Sequence, residues 1–184
     1  MNLTLWLALA LGLFVLQPVQ ANEESLQLLA IGSFSNMRFT EEHQAGSEIE
    51  LLREGAELFG LFFYSGGRLM GDIPAGLLQD IRYNPKTRTI SFTSKLTTGQ
   101  HFCNVHKNGL PSRDLFSFQG KLSDVSMSGV LKHSDALHPE NPPTKEKVVL
   151  TRMDSEAEHQ HLYSNRADWE ATSKMILQFR GPKW

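Results

Sequence analysis

Between Leu115 and Leu131 the chain reads LFSFQGKLSDVSMSGVL. Apolar or small residues fall at 116, 118, 120 and 122 and polar ones at 117, 119 and 121. The alternation resumes as Val125, Met127, Gly129 and Leu131 against Ser126 and Ser128. A period of two over both arms marks strands with one buried face. With Ser123-Asp124 as a two-residue turn, Leu122 faces Val125, Gly120 faces Met127, Phe118 faces Gly129 and Phe116 faces Leu131. Each glycine then meets a large side chain, so the cross-strand volumes match.

The same pattern recurs upstream. Leu26 to Phe39 reads as one bent or broken strand, and Thr40 to Gly46 as a polar loop. Ser47–Arg53 and Ala56–Tyr64 form a hairpin about Glu54-Gly55, in which Leu51 faces Leu58 and Ile49 faces Gly60. Leu58–Tyr64 is almost wholly apolar (LFGLFFY), so both its faces are expected to leave water. Four glycines and Pro74 make 66–76 a loop. Leu77–Tyr83 and Arg88–Leu96 form a third hairpin, with Pro85 set for the first central position of the turn at 84–87. Residues 97–113 are an irregular connection, Pro139, Pro142 and Pro143 require another, and Val148–Met153 reads as a strand. The tail differs in character. Ser164 or Asn165 can cap a helix in which Trp169, Thr172, Ile176 and Phe179 share a stripe, stopped by Gly181-Pro182.

The expected fold is therefore all-β. An antiparallel meander of about eight strands closes as a barrel or packs as a sandwich, with one C-terminal helix docked on it, because open edges invite aggregation. Near the start of the first strand stands Gly32-Ser33-Phe34, at the place where lipocalins carry Gly-x-Trp. In layout, over roughly residues 28–180, the chain resembles the lipocalin-like (calycin) proteins. That resemblance implies a cup holding a small apolar ligand.

Residues 1–21 hold no charged side chain, and Leu5 to Leu16 is an apolar run of signal-peptide length. Val19-Gln20-Ala21 offers small residues to a signal peptidase. The expected organisation is a signal peptide over 1–21, a barrel-like domain over 22–163, and a helix over 164–181 packed on that domain. Cys103 is the sole cysteine, which excludes an intrachain disulfide, and no glycosylation sequon follows Ala21. Both features tilt the expectation toward a bacterial periplasm or the extracellular medium. A formal net charge of −2 argues against a nucleic-acid partner. No stable membrane insertion is expected once the signal is removed.

Three constellations could carry function. His101, Cys103 and His106 offer soft and borderline ligands to zinc or copper, though their spacing matches no standard site and a further ligand, such as His159 or His161, would be needed. A surface loop with a partly buried thiol is the favoured reading, so no metal and no cofactor is expected. The same residues have the types of a cysteine hydrolase, but nothing in their spacing assembles one, and neither a Gly-x-Ser-x-Gly elbow nor a phosphate loop is present. Finally, Phe62, Tyr64, Phe92, Phe116 and Phe118 fall on the inward faces of successive strands. They line a ligand cavity if the barrel is wide and fill the core if it is narrow. The expected function is non-enzymatic binding of a small apolar ligand. A protein–protein or inhibitor module using the loops at 65–76, 97–113 and 133–146 is one alternative. A metal-dependent enzyme or metal-binding protein centred on His101, Cys103 and His106 is the other.

Overall fold

Alternating segments become strands because each can bury one face while its backbone is paired on both sides. The computed structural model describes residues 28–41, 43–69, 73–98, 100–101, 110–136, 138–153 and 163–178. Its strands are β1 (Leu28–Ser35), β2 (Arg38–Phe39), β3 (His43–Glu54), β4 (Glu57–Leu69), β5 (Ala75–Asn84) and β6 (Thr89–Lys95). They continue as β7 (Gln100–His101), β8 (Leu110–Pro111), β9 (Leu115–Leu122), β10 (Ser126–Ser134) and β11 (Thr144–Arg152), before helix α1 (Arg166–Gln178). Pairing runs β1-β3-β4-β5-β6-β9-β10-β11 and returns to β1, so eight strands close an antiparallel barrel compatible with a lipocalin-like layout. β2 is a short addition beside β3, and β7 pairs with β8 alone.

The central hairpin forms, with its turn one residue further along than expected. Met127 faces Leu122, Gly129 faces Gly120, Leu131 faces Phe118 and His133 faces Phe116. Ser123 is the reason. Its N–H donates to the Ser126 carbonyl at 2.8 Å and its Oγ accepts from the Ser126 N–H at 3.0 Å, so Ser123 closes the ladder and Asp124-Val125 turns. Val125, expected inward, is 69% exposed there. The β3–β4 turn shifts in the same sense. Gly55 takes a φ of 58° at its first central position, as two-residue hairpin turns require, and Leu51 rather than Ile49 faces Gly60.

Two expected loops shrink. β3 begins at His43, inside the expected loop at 40–46, and β4 runs on to Leu69 through the glycine-rich stretch. A bulge makes this possible: Ala45 faces Gly66 while Gln44 faces Arg68, which leaves Gly67 unpaired at a φ of 84°.

The interior core gathers residues from every barrel strand, among them Phe34, Ile49, Phe62, Phe92, Phe116 and Leu150. A second cluster lies outside the barrel, where Leu52, Phe59 and Leu61 meet Trp169 of α1. This explains the continuous apolar run of β4, which has core on both faces. Asn165 caps the helix, its Oδ1 accepting the Asp168 N–H at 3.0 Å, and the Trp169 indole packs edge-on to Phe59 at 4.7 Å. Arg166 pins the first turn, with its guanidinium 4.9 Å above the Phe59 ring and ion pairs to Glu57 and Glu170. Just before the helix, burial pushes the Tyr163 hydroxyl up to about 12, and the Glu50 carboxylate adds to the shift. Phe179, expected on the docking stripe, lies outside the described residues. No described helix is long and apolar enough to cross a membrane.

Candidate binding site at the hairpin end of the barrel

The five aromatic residues singled out from the sequence do converge. Phe62, Phe92, Phe116 and Phe118 are buried in the interior core, with Tyr64 half-buried against it. Their rings pack on one another. Phe62 lies 4.9 Å from Phe116, Tyr64 4.6 Å from Phe116, and Phe92 stacks on Phe118 at 5.2 Å. Rings in mutual contact fill the waist of the barrel, so open space lies toward its two ends.

At the end that carries the long loops, the interior turns polar. Asp114 is fully buried, and its Oδ1 accepts the Ala136 N–H at 2.9 Å. Its Oδ2 stands 3.3 Å from Nε2 of His133, which is 23% exposed. The imidazole stacks nearly parallel on Phe116, with centroids 4.4 Å apart. Both residues continue the inward parity of their strands, 114 with 116 and 118, and 133 with 131 and 129. That parity was the sequence signal that could have found them. Ser94 also pairs with Phe116, from the opposite side, and its buried Oγ has no described hydrogen-bond partner. A strand therefore separates Ser94 from His133, and no serine–histidine relay forms.

At the other end, where the turns of the β3–β4, β5–β6 and β9–β10 hairpins meet, a pocket of about 610 Å³ opens. Its floor is Ile31, Leu58, Ile81 and Leu122, the first three only half-buried on top of the core. Tyr83 and Arg53 stand at the rim. A bulge in β5 builds this site. Gln79 faces Thr93 and Arg82 faces Ser91, so Asp80 and Ile81 together oppose Phe92, with Asp80 at a φ of 51°. The extra residue reverses the parity and swings Ile81 and Tyr83 onto the inward side, Tyr83 facing the buried Ile90. Sequence reasoning passed over these residues. The signal was the spacing of three between Leu78 and Ile81 within an otherwise alternating strand. Arg53 pairs across β3–β4 with Leu58, on the inward face, and makes no ion pair among the described residues. A cation above an apolar floor can hold the acidic head of a molecule whose body is hydrocarbon.

The metal candidate is not brought into view. Cys103 and His106 lie outside the described residues, as do His159, His161 and the side chain of His101. Among the described residues no group of three or more metal-ligating side chains occurs. No protein-family model matches the chain, and comparisons with curated proteins and with solved structures find no match either.

Proposed function

We propose that this chain is an exported, non-enzymatic binding protein of lipocalin-like architecture that holds a small amphipathic molecule at the hairpin end of its barrel. The observation that carries the reading is the pocket of about 610 Å³, with Ile31, Leu58, Ile81 and Leu122 as an apolar floor and Arg53 above it. The packed rings of Phe62, Phe92, Phe116 and Phe118 then act as the bottom of the cup instead of its walls. Half-exposed aliphatic side chains on an inward face gain stability when a ligand covers them, at roughly 25 cal/mol per Å² removed from water. The eight-strand meander followed by a docked helix supports the lipocalin-like assignment. The uncharged apolar run ending at Val19-Gln20-Ala21 supports export.

Native mass spectrometry of protein recovered from the exported fraction tests the reading. The expected chain begins at Asn22 and carries a lipid-like mass that is lost on denaturation. A full-length chain retained in the membrane would remove export. A bound metal ion in place of the organic mass would transfer the function to the His101, Cys103 and His106 region.

A further inference from the structure

The net charge of the chain is small, but its charges are segregated. The outward positions of β9, β10 and β11 carry Lys121, Lys132, Lys145 and Lys147, all exposed, and Arg82 stands exposed on β5 across the same face. The register sets Lys132 directly opposite Lys145, with Lys147 one step along the strand. Like charges in directly opposed positions destabilise a sheet. Of the nearby carboxylates among the described residues, Glu146 points to the other face, opposite the buried Leu131, while Asp80 accepts the Thr93 hydroxyl at 3.2 Å and lines the same face as Arg82, Lys132 and Lys145, so one carboxylate stands there against the cluster of cations. None of the four lysines forms an ion pair among the described residues.

Beside the lysines runs a trough of about 830 Å³ whose floor includes Ser91, Thr93, Ser117 and Gln119, with Val130 and Lys132 on its flank. Val130 is 40% exposed and Val149, further along β11, is 61% exposed. Cations, hydroxyls and exposed aliphatics on one face match the head groups of an anionic lipid surface, which offers phosphate charge, hydrogen-bonding oxygens and shallow apolar contact. Nucleic acid fits less well. Single strands bind by stacking on aromatic side chains, and no described outward residue of β6, β9, β10 or β11 is aromatic. We infer that the outer face formed by β5, β6, β9, β10 and β11 docks the folded protein onto anionic phospholipid surfaces. The contact is peripheral and electrostatic.

Co-sedimentation of the mature protein with vesicles tests this. Vesicles of equal parts phosphatidylglycerol and phosphatidylcholine should bind it, vesicles of phosphatidylcholine alone should not, and added salt should weaken the binding. The triple variant Lys132→Gln/Lys145→Gln/Lys147→Gln should bind on the order of a hundredfold more weakly, at about fivefold per charge removed. It should melt no lower than wild type, because the opposed like charges are gone. Lys174→Gln, exposed on the helix that covers the outer face of β3 and β4, should bind as wild type does. Equal sedimentation with both vesicle types, or undiminished binding by the triple variant, would overturn the inference. Competition by a single-stranded oligonucleotide at a concentration matched to the lipid phosphate would overturn the lipid assignment in favour of nucleic acid.

Discussion

Asp114 and His133 depend on each other. A carboxylate with no exposed surface needs compensation for lost hydration; the Ala136 N–H donates to Oδ1 at 2.9 Å, and Nε2 of His133 stands 3.3 Å from Oδ2 as a close polar neighbour. Removing one partner from such a pair is destabilising because the other keeps its desolvation penalty. His133→Ala and Asp114→Asn should each lower the unfolding free energy by roughly 1–3 kcal/mol in a denaturant titration. The double variant should fall short of the sum by about 0.5 kcal/mol or more. Strict additivity would show that the two side chains do not interact. Neither residue stood out in the sequence, since a lone aspartate and a lone histidine at strand ends look like surface positions. Only the extension of the strand parity past Phe116 and Leu131 puts them inside.

At the scale of the hairpin, alternation fixes which residues face inward but not which residue they face. A turn displaced by one residue moves every partner by two and leaves each side chain on its own side of the sheet. For that reason the inward set Phe116, Phe118, Gly120, Met127, Gly129 and Leu131 was legible, while the pairing within it was not. Ser123 set the pairing through side-chain hydrogen bonds that periodicity does not register. Bulges were illegible for a related reason, because each inserts a residue that inverts parity at one point, as at Gly67 and at Asp80-Ile81. The inward face itself has a direct check. A Cβ on Gly129 would run into the Gln119 carbonyl oxygen of the paired strand and sit 2.8 Å from Cζ of Phe118, and one on Gly120 would run into the Ser128 carbonyl oxygen and sit 2.6 Å from the same ring atom, so backbone and ring together close the space over the glycine pair. Gly129→Val should lower stability by roughly 1–3 kcal/mol through overpacking. Ser128→Val, on the outer face, should be neutral or slightly stabilising in the same melting experiment. Equal stability of the two variants would mean that the strand faces the other way.

The whole molecule is a barrel with three distinct surfaces. β1 and β11 are joined at only two paired positions, and Arg152 reinforces that seam by donating to the Asp124 carbonyl at 2.8 Å and to the Ile31 carbonyl. Helix α1 seals the outer face of β3 and β4, the lysine-bearing face lies over β9 to β11, and the hairpin-end mouth remains open above an apolar floor. The most direct test is a titration of the purified protein with a fluorescent long-chain carboxylate and with the corresponding alcohol, using wild type, Arg53→Gln and Ile81→Trp. Wild type should bind both saturably at one site, the carboxylate more tightly. Arg53→Gln should weaken the carboxylate about tenfold and leave the alcohol unchanged, as expected for loss of one charge-assisted hydrogen bond. Ile81→Trp should block both ligands while melting close to wild type, because Ile81 is only half-buried. Absence of saturable binding in wild type, or full binding by Ile81→Trp, would contradict a ligand site at the barrel mouth.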